Sequence, residues 1–212
     1  MLRHFLPCVL LALCSCSRAR TAPVGPQLCP GIDKDTQSVS LQIDESFLSS
    51  HDVSEVLDPV WWTANIYDGV AEYDRCLTPF SKEQRLMFAL LWYLAEVDNG
   101  GHSQFFYNST GIVFPDALAA MEQLKIPEGV AILGEARRRL GGSVERDRAL
   151  RQADLERLNP KFDDLDSRLY DLDQKLAIRE RSMVAYVRAH PTAFLFHGVV
   201  PMPTAIAQDR KR

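Results

Sequence analysis

Leu86, Met87, Leu90, Leu91, Leu94 and Val97 recur at three- and four-residue spacing, and the stripe ends against Asn99-Gly100-Gly101. That spacing places the apolar side chains on one face of a helix, and the face must be buried against other elements. Ser81 and Gln84 stand in the positions of a capping box, so the helix is expected over about residues 81–98, with the asparagine and glycines as its left-handed stop. Paired aromatics follow at once, in Gln104-Phe105-Phe106-Tyr107-Asn108, and predict a second short helix. Three consecutive aromatics cannot share a helix face, so two should enter the core and one should stay exposed. A chain punctuated in this way folds by packing helix on helix.

The rest of the chain agrees. A first amphipathic segment is expected over residues 54–75, interrupted or started by Pro59. Pro115-Asp116 and Pro127-Glu128 each suit a helix opening, with proline in the first turn and an acid near the positive end of the dipole. Arg137-Arg138-Arg139 before Gly141-Gly142 reads as a basic last turn with a glycine stop. The stripe Phe162, Leu165, Leu169, Leu172, Leu176, Met183 and Val187 predicts one long helix from Asp163 to the residues before His190-Pro191. Little of the chain alternates with period two. The expected fold is all-α: a single compact helical domain of about six to eight helices over residues 41–200.

The ends are of different character. Arg3 and His4 precede the short apolar run Phe5–Leu13, too short to span a bilayer and proportioned like a signal peptide over residues 1–16. Leu13-Cys14-Ser15-Cys16 resembles the lipobox of bacterial lipoproteins, with Cys16 as the residue to be lipidated. Three outcomes stay open: a lipid anchor on the periplasmic side, cleavage and secretion, or a cytoplasmic protein with a misassigned start. Residues 17–40, rich in Pro, Gly and small polar residues, read as a flexible tether, and residues 201–212 as a loose basic tail. Cys29 and Cys76 are the cysteines left outside the leader; they either form a disulfide or remain as two thiols.

Charge is unevenly spread. Residues 33–135 hold 17 acids and 5 bases, whereas residues 136–212 hold 11 acids and 16 bases. Such asymmetry suits either intramolecular pairing between the halves or a partner drawn by charge. The chemistry of known catalytic motifs is missing from the pattern. Ser103 and Ser109 lack a strand-turn-helix elbow, and no glycine loop cradles phosphate. His102, four residues after Asp98, is separated from it by the glycine break, and His51, His190 and His197 are isolated, which argues against a zinc set. No catalytic residue, cofactor or metal is expected.

Glu96, Asn99, Gly100, Gly101, Gln104, Phe105, Phe106, Asn108 and Gly111 together resemble the signature of the DNA mimic protein 19 family. A Leu- and aromatic-rich helix before the signature and the later Phe162-Asp163-Asp164-Leu165-Asp166 segment extend the likeness over roughly Val56 to Phe196. The resemblance implies an all-helical fold that acts as a homodimer and presents carboxylates to a DNA-binding protein in place of DNA. The candidate carboxylates are those of the Asp44–Asp74 segment, notably Asp68, Glu72 and Asp74, with Asp163, Asp164, Asp166, Asp171 and Asp173. The reading that follows is a non-catalytic module of the bacterial envelope that binds a protein through an acidic surface, with inhibition as one role open to it, without direct nucleic-acid binding. A cytosolic DNA mimic and an enzyme with a site assembled only in space are the alternatives.

Overall fold

The computed structural model describes Cys29 and residues 35–209. A strand, β1 (Thr36–Ile43), opens the described chain and leads into three short helices, α1 (Glu45–Ser50), α2 (Val53–Val56) and α3 (Asp58–Trp61). Asp44 caps α1 by accepting the Phe47 N–H at 2.9 Å, and Asp52 with Glu55 forms a capping box on α2. After a turn come α4 (Val70–Leu77) and the central helix α5 (Lys82–Tyr107). Ser81 and Gln84 make the expected capping box at its start. A 3-10 turn (Ser109–Val113) leads to α6 (Phe114–Gln123) and α7 (Pro127–Arg139), both opened by proline as anticipated. Then follow α8 (Arg148–Leu158), α9 (Asp163–Leu176), a π-helical turn (Ile178–Met183), α10 (Val184–Ala189) and α11 (Pro191–Phe194). A second strand, β2 (Phe196–Pro203), and α12 (Thr204–Asp209) complete the described chain.

The fold is predominantly helical, and α5 organises it by packing against α6, α8 and α9, with α7 lying on α6 and α9. Tyr93, Leu90, Met87, Phe105 and Phe106 of α5 are fully buried at the centre of one large core. Among the described residues there are twelve α-helices, six of them eight residues or longer, against the six to eight expected, because short turns of helix occupy stretches read as single helices or loops. The segment 54–75 is three helices, broken by the polar turn Asn65-Ile66-Tyr67-Asp68-Gly69, in which the Asn65 side chain accepts the Tyr67 N–H at 2.9 Å. The long helix expected from Asp163 breaks at Ala177, which lies in the left-handed region (φ 47°, ψ 67°).

Two boundaries need correction. Residues 201–212 are not a loose tail as far as Asp209, and the tether does not reach residue 40. β1 and β2 pair antiparallel, with Val39 opposite Val200 and Ile43 opposite Phe196. Leu41, Val200, Met202 and Ala207 form a small second core beneath them, sealed in part by Trp62. Burial of that face holds the two ends together. Cys29 is joined to Cys76 of α4 by a disulfide, which fastens the N-terminal segment to the helical body. Among the described residues no helix is long and apolar enough to cross a membrane.

Candidate functional site

The signature residues converge on the kink of α5. Gly100 and Gly101 leave helical geometry, and Gly101 takes φ 72°, a region open to glycine at little cost. The turn redirects the chain so that His102, Phe105 and Phe106 point inward while Tyr107 stays more than half exposed. Glu96, one turn before the kink, accepts from Gln104 Nε2 at 2.8 Å and from Asn108 Nδ2 at 3.0 Å. A carboxylate on one arm thus clamps two amides on the other. Gln104 and Asn108 both serve this carboxylate.

Close approach fixes the glycines as well. A Cβ at Gly101 would collide with the Asp166 carboxylate, and one at Gly111 would collide with the Arg151 guanidinium. Asp166 of α9 reaches under the kink and accepts from the His102 backbone N–H at 2.8 Å and from its Nδ1 at 2.5 Å. An ionised carboxylate only accepts, so the imidazole proton lies on Nδ1, and in the neutral ring Nε2 accepts from the Tyr93 hydroxyl at 2.7 Å. Burial pushes the Tyr93 phenol well above its ordinary pKa, with the Asp166 charge adding to the effect. Burial also works to raise the Asp166 carboxyl, but the hydrogen bonds from His102 outweigh it and hold the pKa below the usual value.

Arg151 of α8 is a functional-looking residue that the sequence pattern did not reveal. It is 1% exposed, and its Nε donates to Phe106 O at 2.6 Å and its Nη2 to Asn108 O at 2.7 Å. Its Nη1 donates to Glu145 O at 2.8 Å and Arg146 O at 3.0 Å. Burial, with help from Arg148, lowers its pKa to about 10. The guanidinium therefore ties the end of α5 to the start of α8 through carbonyls, which is a structural task. Spacing gave no cue, since Arg151 sits in a helix dominated by charged residues.

The candidate acids separate into different roles. Asp166 is not surface: its side chain is 20% exposed and committed to His102. Glu72 pairs with Arg75, and Asp74 with Arg146 at 2.6 Å. Asp164 forms a two-pronged pair with Arg139, at 2.6 and 2.7 Å, which brings its pKa down to about 2. Asp173 accepts the Ile178 N–H at 2.8 Å and lies 3.9 Å from Arg179. These pairs remove much of the acidic surface expected along α9. Asp163 and Asp171 are exposed, and Asp68 accepts from Asn65 Nδ2 at 2.6 Å. Cys16 lies outside the described residues.

The stretch 35–74 contains nine acids and no lysine or arginine. Asp44, Glu45, Asp52 and Asp68 of this stretch are exposed and form no ion pair among the described residues. Within the same stretch a pocket of about 370 Å³ opens between α2, α3, α5 and the π-helical turn. Ser54, Glu55, Asp58, Trp61, Trp62, Leu91, Ala95 and Arg179 line it. Trp61 and Trp62 are both half-buried, Trp61 stacked on Trp92 at 4.5 Å between centroids and Trp62 donating to Asp58 at 2.8 Å. π-Helical turns recur at functional sites, and here the turn carries Arg179 to the rim.

Cys29, Glu72 and Cys76 lie close enough to suggest a metal set, but both sulfurs are committed to the disulfide. Comparison with known proteins adds one match: the family model described as DMP19-like protein covers residues 78–190, just over half of the chain. No curated protein and no solved structure matches. The matched span contains the kink, the Glu96 clamp, His102, Arg151 and Asp166.

Proposed function

Since the chain belongs to the DMP19-like protein family, we propose that it is a non-catalytic module of the bacterial envelope that holds a basic protein partner against the acidic face of residues 35–74. The observation that carries this reading is the base-free run itself, in which exposed carboxylates stand on short helices fixed to a rigid core. Carboxylates so placed raise the local potential for a cationic surface and guide its approach. The signature residues are spent on the α5 kink, so they supply the scaffold and not the contact. Both ring nitrogens of the buried His102 are met from within, by Asp166 and Tyr93, which suits a part of the scaffold.

The disulfide supports export, since such bonds persist in oxidising compartments and are rare in the cytosol. Lipidation of Cys16 would then anchor the domain at the membrane. A cytosolic DNA mimic is the second reading; it would use the same base-free face, and the resemblance to the DNA mimic protein 19 family favours it.

Affinity capture from extract of the native cell tests the proposal, run at about 50 mM and about 500 mM salt. A specific partner should be held at low salt, released at high salt, and lost from the Glu45→Gln/Asp68→Asn variant. Retention unchanged by both salt and variant would refute the acidic-face reading. Displacement of the partner by duplex DNA would favour mimicry.

A further inference from the structure

The two-stranded sheet has two outer edges of different chemistry. Thr36 of β1 stands opposite Pro203 of β2, and Ser38 opposite Pro201. Asp35 O accepts the Thr204 N–H at 3.0 Å in continuation of that register. Hydrogen-bonded pairs alternate along an antiparallel ladder, so the odd-numbered residues of β1 turn their amides toward β2 and the even-numbered ones turn theirs outward. Pro201 and Pro203 therefore sit at outward positions of β2, where no donor is needed and further pairing is blocked. The outer edge of β1 has no such block. Thr36, Ser38, Ser40 and Gln42 present N–H and C=O groups there, and among the described residues no other element hydrogen-bonds to them. β1 runs eight residues without a charge, a proline or a break in register, the devices that keep an edge from pairing.

We propose that the outer edge of β1 takes up an extended basic segment of the partner as a third, antiparallel strand. Charge selects the occupant. Asp35 lies before the strand and Asp44 and Glu45 after it, all exposed, and no lysine or arginine occurs over residues 35–74. A second copy of this chain, pairing β1 on β1, would bring these carboxylates toward their own duplicates. Lysine or arginine at the ends of an incoming segment meets them favourably. Side-chain alternation sets the rest of the pattern. Val39 and Leu41 face the small core while Ser38, Ser40 and Gln42 are exposed. Apolar residues at every second position of the segment would extend the core face, with polar ones toward solvent. Main-chain hydrogen bonds supply the affinity and this alternation the specificity. The inference rests on the reading of residues 35–74 as a partner-binding face, and deepens it by naming the mode of attachment.

The test adds the N-acetylated, C-amidated peptide Lys-Val-Thr-Val-Thr-Val-Thr-Lys to the full chain and follows backbone amide hydrogen exchange by NMR. At about 90% occupancy the amides of Ser38, Ser40 and Gln42 should exchange about tenfold more slowly. Those of His197 and Val199, on the outer edge of β2, should stay unchanged. N-methylation of the threonines, which stand opposite the outward amides, should abolish protection, and N-methylation of the valines should leave it. A peptide with glutamate in place of both lysines should bind about tenfold more weakly. Ser40→Pro removes an outward donor, as Pro201 does on β2, and should abolish protection at Ser38 and Gln42. Ser40→Lys keeps the backbone intact and should weaken the lysine peptide, which checks the edge independently of folding. No protection by the lysine peptide, protection confined to β2, or equal binding of the glutamate peptide would overturn the proposal. So would an edge protected without peptide in a dimer that Ser40→Lys dissociates, since the occupant would then be a second copy. If the peptide gives no protection while salt-sensitive capture of a partner persists, the strand edge falls and the acidic face stands. If the peptide protects the edge while capture is insensitive to salt, the acidic-face reading falls and the strand edge stands.

Discussion

At Asp166, one carboxylate takes both the backbone and the side chain of His102 and sits against Gly101. The sequence places it beside Asp163 and Asp164, which is why it reads as one of a surface acidic cluster. Its helical position holds the better signal: four residues after Phe162 and three before Leu169, it shares the face of two buried side chains. The partner 64 residues away is invisible to any local pattern. The folded-state pKa of Asp166 is depressed, so its contribution to stability is present above the unfolded value, about 3.9, and is lost as pH falls through the folded value. Asp166→Asn should therefore cost about 1.5–3 kcal/mol at pH 7, the worth of hydrogen bonds to a charged group. The difference from the wild type should shrink as pH falls below about 4. Urea unfolding of both proteins at pH 7 and in acid measures it; a gap constant with pH would show that the charge is not what stabilises the kink.

Among the elements, α5, α6 and α7 were legible because caps, prolines and apolar spacing agree there. β1 was legible only in part: Val39, Leu41 and Ile43 alternate, but the chain before them resembles a tether. β2 contains Gly198, Pro201 and Pro203, residues that disfavour a central strand yet are tolerated in a two-stranded sheet, where each strand is an edge. The break at Ala177 carries neither glycine nor proline, so nothing local announces it. The disulfide is the element-scale fastening, since it ties the segment before β1 to α4 across a separation of 47 residues. Closing a loop of that length removes unfolded-state entropy worth about 4 kcal/mol in the chain-entropy model. The Cys29→Ser/Cys76→Ser variant, or the wild type under reducing conditions, should lose stability of that order in urea unfolding. Equal stability with and without reductant would show that the bond is dispensable to the helical body.

Over the whole molecule, the charge asymmetry of the sequence is met in part by pairing between the halves. Arg146, Arg168 and Arg179 from the basic half pair with Asp74, Glu128 and Asp98 from the acidic half, at 2.6, 2.5 and 2.7 Å. Asp44, Glu45, Asp52 and Asp68 face solvent and form no ion pair among the described residues. Salt should act on these two populations in different ways. The cross-pairs are part-exposed, and pairs of that kind contribute about 0–1 kcal/mol each. Screening them costs little, and screening the surplus carboxylates relieves repulsion that offsets the cost. Raising salt from about 0.05 M to about 1 M should therefore change stability by no more than about 1 kcal/mol, a shift of about 2–4 °C in the thermal midpoint for a chain of this size. Circular dichroism melts measure it directly. A fall of well over 4 °C would mean that the ion pairs, and not the core around α5, hold the two halves together. It would also mean that salt-induced loss of a partner reports on folding. A flat thermal midpoint lets the same salt titration isolate the acidic face as the cause of partner release.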